Sequence, residues 1–381
     1  MKKFNEIFID KTKYGEKIQT SEYEKQGKHI IVDQGQAEIA GYTNREEGLF
    51  NEVPVIIFWD HTRLIKYIDE PFFLGADGVK VLRSKEKNAN YKYLYYALKS
   101  AKIPNTGYNR HFKWLKDVEI NYPDSVKQEK IVDILDRVSD VIEKRKAELS
   151  YLDTLIKARF VEMFGDMTLA RNDWEKLLLC DVCDVRDGTH DSPKYFTEGY
   201  PLITSKNVSG GKIDFSDCNL ICEEDYNKIN QRSKVDVGDI LMPMIGTVGK
   251  PVIVDSQKKF AIKNVALIKF RENSAVVNSF IKVLLESDYF DREVINKVRG
   301  GTQKFISLGD IRKLNFCLPP IKLQNQFAAF VNEIDKSKSA VKKALDETQL
   351  LFDSLMQEYF GWTKNMINII KLKGGYRWVI H

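Results

Sequence analysis

Residues 123–165 read PDSVKQEKIVDILDRVSDVIEKRKAELSYLDTLIKARFVEMFG, and residues 319–361 read PPIKLQNQFAAFVNEIDKSKSAVKKALDETQLLFDSLMQEYFG. The two stretches align without a gap at one constant offset of 196 residues. The identical pairs are Pro123/Pro319, Gln128/Gln324, Lys146/Lys342, Leu149/Leu345, Leu155/Leu351, Glu162/Glu358, Phe164/Phe360 and Gly165/Gly361. Self-similarity at a fixed distance along the chain indicates an internal duplication.

Each stretch carries an apolar stripe whose members follow alternating steps of four and three residues. In the first stretch the stripe consists of Ile131, Leu135, Val138, Ile142, Leu149, Leu152, Ile156 and Met163, with Arg145 and Arg159 as interruptions. In the second stretch it consists of Phe327, Val331, Ile334, Val341, Leu345, Phe352, Leu355 and Tyr359, with Lys338 and Thr348 as interruptions. An average step of 3.5 residues is typical of a coiled-coil seam and not of a strand. We therefore predict one long helix in each stretch.

The ends of both helices are marked in the sequence. Pro123 and Pro319 end a preceding strand, and residues 125–128 resemble a capping box. Gly165 and Gly361 stand where a C-terminal glycine belongs. About 38 helical residues at a rise of about 1.5 Å give roughly 57 Å, which exceeds the diameter of a small domain. We therefore favour pairing of the two helices with each other over packing of each helix on its own domain.

The two helices divide the chain into five segments. We predict a globular domain at residues 1–122, a helix at 123–165, a second globular domain at 166–318, a helix at 319–361 and a tail at 362–381. Two equal helices separated by a domain pair most simply in antiparallel fashion, which places the two domains at opposite ends. The predicted fold is thus two mixed α/β (α+β) domains separated by two long antiparallel coiled-coil helices.

Matching elements are also predicted inside the two domains. The helices are expected at Tyr91–Lys99 and Asn278–Leu285, and the strands at 53–59, 78–82, 238–242, 251–254 and 265–270. Just ahead of the long helices, residues 109–118 align more loosely with residues 302–311.

Composition excludes several classes of protein. The chain has 381 residues, is 43% hydrophobic and carries a net charge of +5, which is too small an excess to indicate nucleic acid by itself. The five cysteines, with no signal peptide, favour a reducing, cytoplasmic interior. No apolar run approaches the roughly 18 residues that a membrane span needs. Secreted, membrane and fibrous proteins are therefore not expected.

The basic residues are clustered ahead of each long helix. Residues 99–116 contain five lysines and arginines and one histidine without any acid, and residues 297–313 contain five basic residues with the single acid Asp310. Lysine and arginine neutralise phosphates, whereas asparagine, glutamine and arginine can also recognise base edges. A solvated basic face would explain one such loop, but two loops at matching places favour DNA binding. Two DNA-reading domains on a helical spacer suit a split DNA site.

The chain resembles a specificity subunit of a type I restriction–modification system over roughly residues 15–362. The strand–proline–helix junctions at 122–123 and 318–324 and the GGTQKFI loop at 300–306 carry the resemblance. Further similar segments are residues 34–43, 187–190, 199–208 and 237–242. The order and the duplication of these motifs indicate this family more specifically than any single motif does. The short first domain and the tail after Gly361 depart from the family pattern.

The resemblance implies a non-catalytic adaptor without a cofactor or metal of its own. Each target-recognition domain would read one half of a bipartite site in double-stranded DNA, and the helices would act as spacer. The helices would also dock two methyltransferase subunits, which modify adenine with S-adenosylmethionine, and restriction/translocase subunits would join them. The candidate DNA-contacting residues are Asn109, Arg110, His111, Lys113, His190, Lys206, Asn207, Thr302, Gln303 and Lys304.

Other functions have weaker support in the sequence. Pro319-Pro320 lacks the flanking Asn or Asp and the aromatic residue of an adenine methyltransferase motif, and the chain has no GxxxxGK[ST] phosphate loop. Asp187, His190 and Asp191 lack the lysine partner of a nuclease site.

Two alternatives stay open at this stage. The cysteine pairs 180/183 and 218/222 could form a zinc site, although the first pair follows an apolar run that favours burial. The chain could also be a coiled-coil interaction scaffold without sequence-specific DNA binding.

Overall fold

The computed structural model describes residues 1–75, 78–104, 107, 109–167, 174–209, 211–245, 249–295 and 305–361. The chain forms two compact units. Unit 1 comprises Met1–Arg145 and Ala344–His381, and unit 2 comprises Lys146–Lys343. Each long helix therefore contributes one half to each unit.

The first part of the chain contains nine strands and four α-helices among its described residues. In chain order they are β1 (Lys2–Lys3), α1 (Phe4–Ile7), β2 (Phe8–Asp10), β3 (His29–Val32), β4 (Gly41–Thr43), β5 (Val55–Trp59), β6 (Ile65–Ile68), β7 (Phe72–Leu74), β8 (Val79–Ser84), α2 (Tyr91–Lys99), α3 (Phe112–Lys116), β9 (Glu119–Ile120) and α4 (Ser125–Phe164).

The second part repeats this order with additions. In chain order the elements are β10 (Lys176–Leu178), α5 (Leu179–Val182), β11 (Cys183–Asp187), β12 (Tyr200–Ile203), β13 (Val208–Ser209), β14 (Lys212–Ile213), β15 (Asn219–Ile221), α6 (Glu223–Ser233), β16 (Ile240–Pro243), β17 (Val252–Ile253), β18 (Ala261–Ile262), β19 (Val265–Phe270), α7 (Asn278–Leu285), α8 (Asp288–Glu293), α9 (Leu308–Arg312), β20 (Asn315–Cys317) and α10 (Ile321–Phe360). The predicted helices at Tyr91–Lys99 and Asn278–Leu285 are confirmed as α2 and α7.

The globular parts of the two units, here called head 1 and head 2, have the same sheet topology. Head 1 contains an antiparallel sheet of order β2-β8-β5-β6 and head 2 one of order β11-β19-β16-β17. A second sheet has the order β4-β3-β7 in head 1 and β15-β12-β18 in head 2, and its second pair is parallel in both. The duplication therefore includes the heads, although few identities mark it there.

The structure corrects the looser alignment ahead of the long helices. Helix α9 begins 196 residues after the beginning of α3, and the same offset of 196 residues relates the two long helices. Phe112 therefore corresponds to Leu308, whereas the alignment of residues 109–118 with 302–311 paired it with Phe305. That alignment was wrong by three residues because it matched two phenylalanines that lie at different places in the fold.

The core of each head continues into the helix halves of its own unit. In head 1 every residue of β5 is buried, and α2 packs its apolar face on this sheet. The rings of Tyr93 and Phe360 lie 5.2 Å apart, and those of Tyr96 and Phe352 lie 6.1 Å apart, which ties α2 to α10. In unit 2, Phe160, Phe164 and Phe327 form an aromatic cluster with Phe280 of α7. No helix of the described residues has a long enough apolar stretch for a membrane crossing.

The helix halves pair in antiparallel fashion inside each unit. In unit 1, Arg145 of α4 donates to the Ala344 carbonyl and the Thr348 hydroxyl of α10. In unit 2, Lys338 of α10 forms an ion pair of 2.5 Å with Asp153 of α4. All predicted seam positions, including the polar interruptions, are buried or half-buried. The prediction of a paired seam is confirmed, and its polar residues bind across the seam instead of interrupting it.

The beginning of α4 differs in detail from the prediction, whereas its end agrees. The Asp124 carboxylate, and not the Ser125 hydroxyl, accepts the Lys127 amide at 2.9 Å, because α4 begins at Ser125 and its capping residue is the preceding one. Gly165 has a φ of +74° and its amide bonds to the Val161 carbonyl at 2.8 Å, as expected for a C-terminal glycine.

A glutamine conserved between the two repeats joins each long helix to its head. The Gln128 amide donates to the Pro123 carbonyl at 2.8 Å, and the Gln324 amide donates to the Pro319 carbonyl at the same distance. Gln324 is fully buried, donates to the Ala275 carbonyl at 3.0 Å and accepts the Val277 amide at 2.9 Å. It therefore satisfies the backbone that leads into α7.

We expect Gln324→Met to destabilise unit 2 by about 2 to 4 kcal/mol, because the apolar side chain leaves buried backbone groups without partners. Urea unfolding together with amide exchange at α7 measures this loss. Gln349→Met is the matched control, since Gln349 is exposed on the same helix and bonds only to Asp353 across one turn among the described contacts. Equal effects of the two substitutions would contradict the role of Gln324.

Candidate nucleic-acid interface

One edge of each head collects the loops that carry most of the predicted binding residues. In head 1, β2 and β5 end at this edge and β8 begins there, with Trp59 paired to Val79. In head 2, β11 and β16 end there and β19 begins there, with Asp187 paired to Ala266. We call this side of each head the loop edge. The chain enters the long helices from the other side, where β1 pairs with β9 and β10 with β20.

Backbone hydrogen bonds join three loops at the loop edge of head 2. The Thr189 amide donates to the Ile262 carbonyl at 3.0 Å, and the Asn264 amide donates to the Thr189 carbonyl at 3.2 Å. The Ser205 hydroxyl donates to the Asn264 carbonyl at 3.2 Å. A Cβ at Gly188 would lie 2.2 Å from the Ile262 carbonyl oxygen, so the close approach requires glycine there. The loops 187–192, 204–207 and 262–264 thus form one ordered surface.

His190, a predicted contact, lies on this surface in a charged cluster. Its Nε2 is 2.8 Å from an Asp187 carboxylate oxygen, and its Nδ1 is 2.8 Å from the Asn264 side-chain oxygen. The other Asp187 oxygen forms an ion pair with Arg232 of α6. The Asp187 side chain is only 11% exposed, whereas those of His190 and Arg232 are 63% and 66% exposed. A buried carboxylate therefore orients two exposed side chains, and both ring nitrogens of His190 have partners within the protein.

Arg232 was not among the predicted residues. It lies 45 positions after Asp187, on a helix that has no counterpart in head 1, so no local pattern in the sequence connects the two. Its backbone carbonyl accepts from Arg186 at 2.8 Å, which fixes the end of α6 against β11. Arg186 also donates to Asp184, and this bond holds the pKa of the Asp184 carboxyl below its ordinary value.

Lys206 and Asn207 occupy different environments although they are neighbours. The Lys206 side chain is 54% exposed, with its ammonium 3.3 Å from the Asp217 carboxylate. Asn207 is 2% exposed; its oxygen accepts the Thr204 amide at 3.1 Å and its nitrogen donates to the Asp217 carbonyl at 2.8 Å. Lys206 is therefore available to a ligand, while Asn207 shapes the loop from inside. The prediction that Asn207 itself contacts DNA does not fit this burial.

In head 1 too, some of the predicted residues are exposed and one is buried. Asn109, Arg110 and Lys113 are exposed, at or next to the N-terminal end of α3. His111 is fully buried: its Nδ1 donates to the Asp60 carbonyl at 2.8 Å. The prediction of His111 as a DNA contact does not fit either, because its ring is used to bind the turn after β5.

Asp60 holds the beginning of α3 at the loop edge. Its carboxylate accepts the Phe112 amide at 2.6 Å, and its carbonyl also accepts the His111 amide at 3.1 Å. This arrangement presents three ammonium groups over aromatic rings: Lys113 lies 4.2 Å from the Trp114 ring centre, and Lys80 and Lys116 lie 5.1 and 4.9 Å from that of Phe112. Lys116 is exposed and extends the basic surface of head 1, although it was not predicted as a contact. Lys80 is half-buried, and its ammonium forms an ion pair of 3.0 Å with Asp10.

Three predicted residues, Thr302, Gln303 and Lys304, lie outside the described residues. The first described residues after them lie at the loop edge, where the Ile306 amide donates to the Met244 carbonyl at 2.9 Å. Within the described part of the chain, no three His, Cys, Asp or Glu side chains converge as a metal site would require. Cys183, one of the cysteines of the zinc alternative, is buried among apolar residues, and burial raises the pKa of its thiol to about 12.

This chain is similar to proteins that are named as specificity subunits of type I restriction enzymes. The model of the type I restriction modification DNA specificity domain matches residues 1–151 and 171–348. The MjaVIII type I restriction enzyme specificity subunit of Methanocaldococcus jannaschii is 24% identical over 335 residues, which cover 79% of this chain and 78% of that protein. The EcoBI specificity subunit of Escherichia coli is 21% identical over 332 residues, covering 77% and 70%.

A solved structure has the same fold as this chain. The crystal structure of the S subunit of a type I restriction-modification system from M. genitalium superimposes with a TM-score of 0.55 at 17% identity. The superposition covers 95% of this chain and 96% of that one.

We expect Asp187→Ala to loosen the loop edge of head 2, because His190 and Arg232 lose their shared partner. Hydrogen exchange of the peptide spanning residues 188–192 should become about threefold faster, which corresponds to a loss of about 0.65 kcal/mol in the free energy of local opening. Asp191→Ala is the control, because Asp191 is an exposed aspartate of the same loop. Unchanged exchange in the Asp187 variant would show that the loops hold their positions without it.

Proposed function

The chain belongs to the type I restriction modification DNA specificity family, and we propose on this premise that it is the DNA-recognition subunit of a restriction–modification complex. Each head reads one half of a bipartite site in double-stranded DNA. The paired helices set the spacing of the half-sites and dock two methyltransferase subunits. Restriction/translocase subunits join this complex, and the chemistry on DNA belongs to the partner subunits.

The observation that carries this proposal is the duplication of the loop edge. Two heads of one topology present loops from equivalent strand ends, and the loops differ in sequence. A protein that reads two different half-sites needs a shared scaffold with different reading loops. A general interaction scaffold has no need of two such edges with exposed basic and amide groups.

The exposed side chains suit both parts of DNA recognition. Arg110 and Lys113 in head 1, and Lys206 in head 2, can neutralise phosphates and fix the register. Asn109 can donate to base edges. His190 can do so only by exchanging Asp187 or Asn264 for a base, because both of its ring nitrogens are bonded to these residues. Thr302, Gln303 and Lys304 remain candidates on sequence grounds alone. Ammonium groups that lie on aromatic rings keep their charge while their direction is restricted, which favours contacts of defined geometry.

The boundaries of the proposed functional segments differ from the boundaries of the two compact units. We assign DNA reading to residues 1–122 and 166–318 and spacing to residues 123–165 and 319–361, whereas each compact unit combines a head with half of both helices. This difference follows from the packing, since the seam of each helix half is covered inside the unit of the nearest head.

The direct test is to express the chain with a methyltransferase subunit in cells that lack adenine methylation and to map the methylated adenines. We expect methylation at a bipartite motif, with two specified half-sites separated by an unspecified stretch of constant length. Methylation without a motif, or at a continuous motif, would favour the scaffold alternative or a single reading head.

A second prediction concerns Arg110→Ala and Lys113→Ala. If each side chain neutralises one phosphate, the slope of log K against log salt for the assembled complex should decrease in magnitude by about 0.9 per substitution. Filter binding or anisotropy over a salt series measures it. Lys3→Ala is the control, because Lys3 is exposed on β1 and away from the loop edge. Equal slopes for all variants would remove these residues from the interface.

A further inference from the structure

The loop that follows β3 in head 1 is an exposed turn at the loop edge. Gly75 donates its amide to the Val32 carbonyl at 2.9 Å, which places the end of β3 beside the end of β7. From there, residues 34–38, with the sequence QGQAE, are all exposed. The tip thus presents two amide side chains, Gln34 and Gln36. It lies near the loop edge because it contacts β6, whose first residue pairs with Phe58, one residue before the end of β5.

A buried lysine holds this loop from below. Lys66 of β6 is 7% exposed, and its ammonium donates to the Asp33 carbonyl at 2.9 Å and to the Ala37 carbonyl at 2.5 Å. The ammonium also lies 5.3 Å from the ring centre of the buried Trp59. These two carbonyls stand at the two ends of the turn, so one cation fixes both of its ends.

Burying the Lys66 ammonium would cost folding free energy if the loop did not keep the conformation in which its carbonyls accept hydrogen bonds. Burial lowers the pKa of Lys66, while the Asp33 and Glu38 carboxylates of the same loop act in the opposite direction. A buried ammonium needs its partners, because an unpaired one would be strongly destabilising. Lys66 and the loop therefore stabilise one arrangement together. A loop that is ordered before binding loses less entropy when it meets its ligand.

Head 2 fixes its corresponding loop with a different residue. The loop after β12 surrounds the buried Asn207, which bonds to the backbone of Thr204, Asp214 and Asp217. In both heads a buried polar side chain thus orders the turn that follows the middle strand of the three-stranded sheet. In head 1 it is a lysine from another strand, and in head 2 it is an asparagine of the turn itself. The common result is an ordered turn at the loop edge.

We propose that the turn 33–38 is the base-reading element of head 1, with Gln34 and Gln36 as specificity-determining residues and Lys66 as the residue that positions them. Glutamine can bond bidentately to N6 and N7 of adenine in the major groove, so A·T pairs are the expected targets. This inference rests on the proposed function and adds to it the element that recognises one half-site. Gln34 and Gln36 are not among the contacts predicted from the sequence.

The test uses the complex of the full chain with its methyltransferase subunit in cells that lack adenine methylation. Single-molecule sequencing gives the methylated motif for the wild-type chain, Gln34→Ala, Gln36→Ala, the double variant and Lys66→Met. Gln26→Ala is the matched control, because Gln26 is an exposed glutamine that precedes the other end of β3. The four residues of that strand separate it from the turn by about 13 Å.

We expect the glutamine variants to relax one or two positions of a single half-site, with about tenfold more methylation at near-cognate sites. The other half-site and the spacing should stay unchanged. Lys66→Met should relax the same positions as the double glutamine variant, which a general loss of stability would not do, since unfolding would reduce methylation at every site alike. The Gln26 control should keep the wild-type motif.

Each failure has its own signature. An unchanged motif in the double glutamine variant would overturn the assignment of the turn. Relaxation in the glutamine variants together with an unchanged motif in Lys66→Met would overturn the positioning role of Lys66. Absence of any bipartite motif with the wild-type chain would overturn the proposed function itself.

Discussion

Each long helix presents apolar side chains at steps of three and four along 40 residues, and only a surface with the same spacing can cover such a stripe. The second copy of the helix provides that surface. Because the halves pair in antiparallel fashion, the first half of α4 is covered by the second half of α10 in unit 1, and the remaining halves cover each other in unit 2. Polar seam residues are accommodated by direct bonds, as Arg145 binds Thr348 and Lys338 binds Asp153. Neither unit would be complete with only one of the two helices.

The two heads share one topology but present different loops at the loop edge. The two heads share the order of their four-stranded and three-stranded sheets, the parallel strand pair and the glutamine at each helix junction, and these features position the loop edge. The residues that order the edge differ. The N-terminal end of α3 is capped by Asp60 from a distant turn, whereas that of α9 is capped by its own Ser307. The scaffold is thus separated from the loops, and loop sequences can change while the helix pair stays as it is.

Much of the fold could be predicted from the sequence because it is periodic. The helix seam, the glycine at the end of α4 and the bounds of α2 and α7 depend on local spacing, which one sequence contains. The proposed binding surface could be predicted only in part. Burial of His111 and Asn207, the ion pair of Asp187 with Arg232, and the contact of Lys66 with Asp33 all depend on residues that are brought together by the tertiary fold. Residue type indicates that a side chain can bind DNA, but exposure decides whether it is available.

The spacing role of the helix pair is the central claim, and a paired insertion tests it most directly. Adding one seam-preserving heptad to α4 after Arg145 and one to α10 after Val341 lengthens each helix by roughly 10 Å, which corresponds to about three base pairs of DNA. Methylated adenines should then be mapped for the complex that contains the elongated chain. The account predicts that both half-sites keep their sequences while the unspecified stretch between them grows by about three base pairs. An unchanged spacing with full methylation would contradict it.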